Sequence, residues 1–432
     1  MNAVTSKPVP VWRRPKVGMI AILTTALVQF VMDHLDPIFR VLRVACPICD
    51  VPGLAVIVTR NDDVREVLLD NVHFKVEQTK RLSREMDHVP FMLGEDDLAA
   101  FKRVEAPLRE AMKSDDIPGL AKRSGERVAE LARQSGGRLE VVDLIRTVTF
   151  EMFGDYIGVT APEGYDLTIA AMRIYEYQVT PVTDKPLTRE AMKYAKALRC
   201  HIDALVAAAK SDGSQKSDVL HRLVAQQKRS QGVPNDVEIR ANLLGLIIAL
   251  PQLPIAAPQA LNQLLARPAE LGAAKAYARA NDEPTLGDYL FEALRFDPMA
   301  PFLLRRCAKD HEIASGARRA RKIRKGKLVM AALQSAMKDP RRMAEPETFD
   351  PRRPWSGYLL FGDGLHTCFA EQINKQLVPA MLKPLLACDG LTRETKLSKR
   401  VPFADQLWVT FKPPPAPPPV ERTPTQPELA PA

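Results

Sequence analysis

Phe361-Gly-Asp-Gly-Leu-His-Thr-Cys-Phe-Ala370, followed by Glu371-Gln-Ile-Asn-Lys-Gln-Leu377, is the stretch of sequence that decides the fold. We call residues 361–370 the thiolate loop. Its two glycines allow a tight turn with positive φ and a close approach of the backbone to a flat ligand. Cys368 lies just before residues with helical spacing, and a helix N-terminus lowers the pKa of a thiol. The stretch therefore predicts a turn that presents a metal-binding thiolate.

Cys368 is one of six cysteines in a chain of 432 residues, which is too few for a disulfide framework. The Cys46-Pro-Ile-Cys49 run has no second pair that would complete a zinc site, and we interpret these cysteines as structural. Thiolate ligation is one of the ways in which proteins hold haem iron. A lone cysteine is usually a small buried apolar residue, but the thiolate loop as a whole is much more specific than that.

The thiolate loop resembles the haem-binding signature of the cytochrome P-450 family, F-x-x-G-x-x-x-C-x-G. Phe361, Gly364 and Cys368 match the motif, while Ala370 replaces the last glycine and adds one methyl near the porphyrin. The resemblance implies that Cys368 is the iron ligand of haem b and that the other matched positions bind the cofactor. It also places His366 where the family often has a residue that bonds a haem propionate.

Two further segments resemble the same family. Phe291-Glu-Ala-Leu-Arg-Phe-Asp-Pro298 resembles its E-x-x-R helix, although Glu292 and Arg295 taken alone are only an i,i+3 ion pair. Phe349-Asp-Pro-Arg-Arg-Pro354 resembles the stretch that supplies a third member of this network, which we assign to Arg353. The implied role is structural, namely to hold the thiolate loop. A buried network of this kind requires every charge to be paired.

The haem propionates need cations, and two basic residues lie at suitable positions of the family pattern. Arg305, in Leu303-Leu-Arg-Arg-Cys307, is one candidate, and Lys102 is the other. Many relatives have histidine at the position of Leu98 and arginine or tryptophan at that of Lys102. Because lysine is a point charge without the bidentate fork of arginine, its hydrogen bonding to the propionate should differ from that in these relatives.

The central part of the chain, residues 241–266, contains no charged residue. By length it could cross a membrane, but three prolines, two asparagines and three glutamines argue against this, and a helix that is apolar on all sides belongs in the core of a large protein. The resemblance places an acid–alcohol pair here, which delivers protons to the oxygen that is being reduced. Ala249, Gln252 and Leu253 occupy these catalytic positions, and an amide is a poor general acid.

The prolines of this segment carry a consequence of their own. Pro251 cannot donate to the carbonyl of Ile247, and Pro254 cannot donate to that of Leu250. We expect a kink, with both carbonyls left free to bind water or a ligand. The alternative is a helix distorted merely for packing.

The remaining pattern is mostly helical. Helices are predicted over 36–43, 61–70, 98–112, 141–157, 188–209 and 237–265, with short strands near 54–59, 327–332 and 405–411. Together with the resemblance, which spans roughly residues 33–412, this predicts a mainly α fold with small β-sheets (α+β). The expected cytochrome P-450 domain is a single large one, with the haem between the central helix and the thiolate loop.

The two ends of the chain differ from this domain. Residues 1–32 form an extension with an apolar run at 17–32, which we expect to be a helix that packs on the body or rests on a membrane surface. Residues 413–432 are rich in proline and are predicted to be disordered. We expect a cytoplasmic protein, and residues 17–32 are the segment that would associate with a membrane if this helix rests on one.

The reaction is open between three hypotheses. The first is monooxygenation of a small apolar substrate with dioxygen and electrons from a separate protein, such as an acidic ferredoxin that would suit the net charge of +9. The second is peroxide-dependent peroxygenation or hydroperoxide rearrangement, which the missing acid–alcohol pair favours. The third is a haem protein with little turnover. A nucleic-acid partner is not expected.

The substrate cannot be identified from the sequence, but the variable loops 72–96 and 165–190 are expected to line its pocket. Apolar residues in the first of these loops predict an apolar wall; they are Met86, Val89, Phe91, Met92 and Leu93. His73 and His88 are predicted to be surface or hydrogen-bonded residues.

Overall fold

The computed structural model describes residues 29–180, 185–212, 216–400 and 403–413. The helices are α1 (Leu35–Ala45), α2 (Asn61–Leu69), α3 (Thr79–Glu85), α4 (Leu98–Ala111), α5 (Ile117–Gln134), α6 (Val141–Ile157), α7 (Leu167–Val179), α8 (Lys185–Ser211), α9 (Val219–Arg229), α10 (Asp236–Ala249), α11 (Leu253–Leu265), α12 (Pro268–Ala280), α13 (Glu283–Phe296), α14 (Leu333–Ala336) and α15 (Glu371–Leu386). The strands are β1 (Ile48–Val51), β2 (Ala55–Val58), β3 (Phe74–Val76), β4 (Arg138–Glu140), β5 (Leu303–Cys307), β6 (His311–Ile313), β7 (Arg321–Ile323), β8 (Leu328–Ala331), β9 (Thr392–Arg393), β10 (Ser398–Arg400), β11 (Phe403–Gln406) and β12 (Trp408–Thr410).

The helical core forms around α10 and α11. α10 begins at a capping box between Asn235 and Glu238 and then becomes apolar on every side, so it is packed by α7 and α8 on different faces. α11 packs on α6 and α13, and α15 lies along α5 and α13. Of the described residues, only Asp236–Leu265 form a helical stretch apolar and long enough to span a membrane, and most of it is buried inside the protein.

The largest sheet positions one side of the thiolate loop. Its strand order is β1-β2-β8-β5-β3, and only β2 and β8 are parallel. β3 pairs with β5 so that Val76 lies opposite Arg305. Three smaller sheets, β4-β12-β9, β10-β11 and β6-β7, complete the described part of the chain.

The predicted fold class is confirmed, because the protein is one mainly helical domain with small sheets. The predicted helix over 237–265 is present, but a 3-10 turn at Leu250–Gln252 divides it at the prolines where a kink is expected. The predicted strand at 405–411 is wrong in extent, since it spans parts of β11 and β12. The predictions for the apolar run at 17–32 and the tail at 413–432 fall almost entirely outside the described residues.

Candidate active site

The thiolate loop is a tight turn closed by its own backbone. The N–H of Cys368 donates to the carbonyl of Phe361 at 2.9 Å. Gly362 and Gly364 have φ of 76° and 73°, a region that residues with a side chain rarely adopt. A Cβ at Gly364 would lie 3.0 Å from the carbonyl oxygen of Leu68, so glycine is also needed for the close approach of α2.

The loop is anchored to the rest of the protein through Asp363. Its carboxylate accepts the N–H of Gly364 at 2.8 Å and forms an ion pair with Arg65 of α2. Arg65 also donates to the carbonyl of Ser356 at 2.6 Å. These contacts tie the turn to α2 and to the preceding chain segment, and therefore fix the position of Cys368.

The pKa of the Cys368 thiol differs from the lowered value expected for a cysteine just before a helix. Burial raises its pKa, and the hydrogen bond from the backbone amide of Ala370 opposes this without overcoming it. The prediction of a lowered pKa is wrong for the protein part alone, because the cost of burying a charge exceeds the effect of one amide. A bound metal ion is the kind of partner that would hold such a thiol as thiolate.

Arg305 and His366 lie on the same side of the loop and are nearly fully buried. Arg305 is 4% exposed, and its Nε has no hydrogen-bond partner among the described residues. Burial lowers the pKa of Arg305 to about 10, while Asp96 opposes this shift. Nε2 of His366 lies 3.2 Å from Oδ1 of Asp96, and its buried Nδ1 is without a partner in the described chain. Arg305 therefore has an unused donor that an anionic group would satisfy, whereas Nδ1 of His366 is an acceptor in the neutral imidazole, because Nε2 donates to Asp96.

Two basic residues of α4 differ in their contacts with the thiolate loop. Lys102 on α4 is exposed and makes no ion pair within the described residues. Sequence reasoning missed Arg109, which lies about two turns after Lys102 on α4. Its guanidinium lies 4.0 Å from the ring centroid of Phe369 and donates to the carbonyl of Phe369 at 3.2 Å. It also missed Asp96, because nothing in the sequence marks a lone aspartate as a neighbour of His366.

Glu292, Arg295 and Arg353 are brought together in the interior. Arg295 donates to both carboxylate oxygens of Glu292 at 2.8 and 2.6 Å, and both side chains are completely buried. Nε of Arg353 lies 3.3 Å from the same carboxylate, and the hydroxyl of Tyr358 donates to it at 2.9 Å. The remaining donors of the two arginines reach backbone carbonyls of the segment before the loop; these are Met337, Ala344, Glu345, Pro346 and Thr348. The cluster thus holds the chain that leads into the thiolate loop.

The central helix is broken at the two prolines, as the sequence predicts, but its carbonyls are not left free. The N–H of Leu250 donates to the carbonyl of Ile247, and the N–H of Leu253 donates to that of Leu250. The expectation of open carbonyls is therefore wrong, since a 3-10 turn satisfies each carbonyl one residue earlier. Ala249 is exposed although Ile248 and Leu250 are buried, and we infer that it lines the substrate side of the site.

Comparisons with known proteins bear on the same elements. The family model described as Cytochrome P450 matches residues 275–386, which contain the Glu292 network and the thiolate loop. The chain is 34% identical over 100 residues to Cytochrome p450 CYP199A2 of Rhodopseudomonas palustris, covering 23% of each chain. It is 26% identical over 353 residues to Cytochrome P-450 monooxygenase DoxA of a Streptomyces species, covering 74% of each.

The chain belongs to the cytochrome P-450 family. The match to the first relative covers about a quarter of that protein's length, whereas the match to DoxA is long. The fold agrees with the crystal structure of CalO2, with a TM-score of 0.75 at 20% identity over 89% of this chain and 97% of that one.

A haem fits the residues of this cytochrome P-450. The thiol of Cys368 is positioned for the iron, and Nε of Arg305 is a buried donor that remains unpaired for a propionate. Ala370 has φ of −93°, so the alanine in place of the family's glycine causes no backbone strain. When bound, the haem supplies the redox-active iron on which the oxygen chemistry of the family depends.

Gln252 and Leu253, which we predict to occupy the positions of the acid–alcohol pair, have little acidity. Leu253 is buried, and Gln252 is half-buried with a side chain that makes no hydrogen bond in the described chain. Tyr175 of α7, which sequence reasoning missed, is the notable hydroxyl nearby. α7 packs on the turn at Leu250–Gln252, and the ring of Tyr175 lies 6.0 Å from that of Phe403.

The hydroxyl of Tyr175 makes no hydrogen bond to any described residue, and the side chain is 6% exposed. Burial raises the pKa of Tyr175, and the Cys368 thiolate raises it further, so the phenol and the thiol lie close enough to interact electrostatically. Tyr175 therefore offers a buried neutral hydroxyl on a helix that packs on the turn at Leu250–Gln252.

The predicted apolar wall packs against the central helix. Phe91 and Met92 belong to the same buried cluster as Leu243 and Leu246 of α10. The contact between Phe91 and Gly245 is especially close: a Cβ at Gly245 would lie 2.3 Å from Cζ of the ring. Glycine is thus required at this position for the ring to lie on the helix. His88 is hydrogen-bonded to Ser83 at 3.1 Å, as the sequence predicts for a non-ligand.

Proposed function

We propose that the chain is a haem-thiolate monooxygenase that oxidises a small apolar substrate with dioxygen and external electrons. The observation that carries this proposal is the thiol of Cys368, whose pKa burial raises, together with the buried donor Nε of Arg305, which has no partner in the described chain. The family relationship and the names of relatives such as DoxA support the same reaction class. The cofactor that this proposal assigns is haem b.

The apolar character of the substrate follows from the residues around the broken helix. Met86, Phe91 and Met92 are buried in one cluster with α10, and Val89 and Leu93 pack against it. A polar substrate would leave hydrogen-bonding groups unsatisfied against such a wall, which disfavours its binding. Ala249 leaves room near the iron position because its side chain is a single methyl.

The electron donor is proposed to be a separate acidic iron–sulfur protein. Lys102 is exposed, and the side chain of Arg109, which contacts Phe369 of the thiolate loop, is 53% exposed. Positive charge at this face would steer an acidic partner towards the loop, in line with the net charge of +9. Arg109→Glu should slow reduction by a ferredoxin at least several-fold at low salt, whereas Arg229→Glu, at an exposed position paired with Glu110, should not.

The ligation is tested with the reduced carbon monoxide complex of the purified protein. The intact chain should show the red-shifted Soret band of a thiolate ligand, and Cys368→Ser should lose it. Cys388→Ser is the control, because Cys388 is also a free cysteine shielded from solvent but lies just beyond the end of α15. An unshifted band in freshly reduced wild type, or no haem at all, would overturn the proposal.

A peroxide-dependent reaction is the second candidate, and the replacement of the acid–alcohol pair by Gln252 and Leu253 favours it. Turnover of an apolar substrate panel with hydrogen peroxide is compared with turnover supported by a reduced ferredoxin. Faster product formation with the ferredoxin supports monooxygenation, and faster formation with peroxide supports the second candidate. Binding of the panel without product from either oxidant would favour the third hypothesis, a haem protein with little turnover.

A further inference from the structure

A second cluster of potential metal ligands lies outside the haem region, where α2 ends and the β6-β7 hairpin begins. Asp70, His73 and His311 each offer one ligand atom, and these atoms all lie within 4.8 Å of one another. His73 was expected to be a surface or hydrogen-bonded residue, and the sequence gives no hint that His311 is its neighbour. The two imidazole rings are 4.5 Å apart between centroids.

The hydrogen bonds of His311 define which of its nitrogens is available. Nε2 lies 2.9 Å from Oε1 of Glu66, so it carries the proton that is donated to this carboxylate. The other oxygen of Glu66 accepts the N–H of Ala314 at 3.0 Å, which fixes the carboxylate in place. In the neutral imidazole, Nδ1 is therefore an acceptor with an unused lone pair.

This lone pair faces another acceptor. Nδ1 of His311 lies 3.9 Å from Oδ2 of Asp70, and Nδ1 of His73 lies 2.6 Å from the same oxygen. Oδ2 of Asp70 accepts the proton of His73 Nδ1, so a metal ion held by all three atoms would displace this proton to solvent and would also use the lone pair of His311. Neighbouring ligands of a tetrahedral site with bonds of about 2.0–2.1 Å are roughly 3.3 Å apart, so small ring movements would bring these three atoms to that spacing.

We propose that Asp70, His73 and His311 form a binding site for a divalent transition-metal ion, with Glu66 as the outer carboxylate that orients His311. Two imidazoles and a carboxylate are suited to zinc and similar ions, and a carboxylate that accepts from the far nitrogen of a ligating histidine is a common supporting contact. The negative charges of Asp70 and Glu66 balance the charge of the ion. All four side chains are between 23% and 33% exposed, so an ion can enter from solvent.

The position of the site indicates a structural effect. Asp70 directly follows α2, whose last residues Leu68 and Leu69 support Gly364 of the thiolate loop. His311 begins the β6-β7 hairpin. An ion held by both would join the end of this helix to the hairpin, and would stabilise the surface against which the thiolate loop is packed.

The test uses the untagged, haem-loaded full chain after removal of loosely bound metal by a chelator. Zinc sulfate is titrated, and zinc retained after desalting is measured against haem iron as the internal standard. We expect about one zinc per haem iron with a dissociation constant in the micromolar range or below, and a higher melting temperature with zinc. His73→Gln and His311→Gln should each weaken binding more than tenfold, and Glu66→Gln should weaken it by about 10- to 100-fold.

Two controls separate this site from other zinc ligands. His201→Gln changes a half-buried histidine whose hydrogen bond in the described chain is to Thr160, and this variant should bind zinc as wild type does. Cys49→Ser removes one thiol of the Cys46–Cys49 run and should also retain the zinc. Binding only at millimolar concentration, wild-type affinity in either His variant, or loss of zinc in Cys49→Ser would each overturn the proposal. Haem content checks that each variant is folded.

Discussion

The backbone N–H of Leu253 donates to the carbonyl of Leu250, the group that Pro254 deprives of its helical partner. A hydrogen bond of the same kind runs from the backbone N–H of Leu250 to the carbonyl of Ile247. Because both carbonyls are satisfied within the chain, neither needs an ordered water, and the break gives no ready water site for proton transfer. Any proton donor of this region must therefore be a side chain, a mobile water or a group of the substrate.

The first prediction concerns the positions of the missing pair. Leu253→Thr combined with Gln252→Asp restores an acid and an alcohol, and should increase the fraction of reductant that ends in product if a weak relay limits the native monooxygenase. A donor must come within about 3 Å of its acceptor, directly or through one water. The measurement is product formed and hydrogen peroxide released per reductant consumed, with Leu253→Thr alone as the comparison. Lower native turnover in the double variant, from the cost of burying a carboxylate, would instead favour peroxide chemistry.

The second prediction concerns Tyr175. Tyr175→Phe removes this buried hydroxyl and should shift the C–O stretching frequency of the reduced carbon monoxide complex, because this frequency responds to a nearby hydrogen-bond donor. Release of hydrogen peroxide should rise at the same time. Tyr177→Phe is the control, since Tyr177 is equally buried on the same helix but lies beneath Arg81. An unchanged stretch in Tyr175→Phe, with and without ligand, would show that the phenol does not reach the site.

The third prediction concerns the contact of Gly245 with Phe91. Gly245→Ala forces the ring off α10, because the new methyl would lie within 2.3–2.9 Å of three ring atoms. We expect a melting temperature lower by a few degrees and altered binding of apolar ligands, measured by the spin-state change that they cause. Gly272→Ala is the matched control, as a Cβ there meets nothing within 4 Å. This control should be neutral or more stable by about 1 kcal/mol, since alanine favours the helix.

The fourth prediction concerns the buried network of Glu292. Glu292→Ala leaves Arg295 without its carboxylate and should cost about 3–5 kcal/mol, so that the protein loses haem incorporation rather than turnover rate alone. Tyr358→Phe removes only one neutral donor from the same carboxylate and should cost about 1 kcal/mol. Haem-to-protein ratio and melting temperature distinguish the two. Full haem occupancy in Glu292→Ala would contradict a supporting role for this network.

A buried carboxyl group at the end of α3 predicts a pH dependence. Glu85 is 0% exposed, and neither of its oxygens has a hydrogen-bond partner in the described chain. Burial raises the pKa of Glu85 to about 8, with Arg81 opposing the shift. Below the ordinary pKa near 4.5 the group is protonated in both folded and unfolded chains. As the pH rises from there to about 8, only the unfolded chain releases the proton, so stability falls by about 1.4 kcal/mol per pH unit.

The fifth prediction is that Glu85→Gln removes this dependence. The amide has the shape of the protonated acid and cannot ionise, so the variant should gain stability relative to wild type as the pH rises from 5 to 9. Melting temperatures of the haem-loaded proteins at several pH values provide the measurement. Glu126→Gln, at a position that is 63% exposed, should keep the wild-type profile. The prediction is refuted if the difference between Glu85→Gln and wild type is the same at pH 5 and pH 9.

Local sequence patterns were enough for most helices. α6 matches its predicted bounds of 141–157, because Glu140 caps its first N–H groups and Gly158 ends it at a φ of 80°. α5, α7, α9 and α12 were not predicted individually, because which of their apolar residues are buried depends on the elements against which they pack. The correction in β11–β12 has a physical cause: runs of apolar residues do not show where hydrogen bonding changes partners.

The sequence by itself determined the family, the fold class, the iron ligand candidate Cys368 and the members of the Glu292 network, because these follow from short motifs with fixed spacing. Only the tertiary structure decided which distant groups meet. It placed Asp96 beside His366, Tyr175 within electrostatic reach of Cys368, and His73 beside His311. Such contacts join residues far apart in the chain, and depend on how helices and sheets pack rather than on any local pattern.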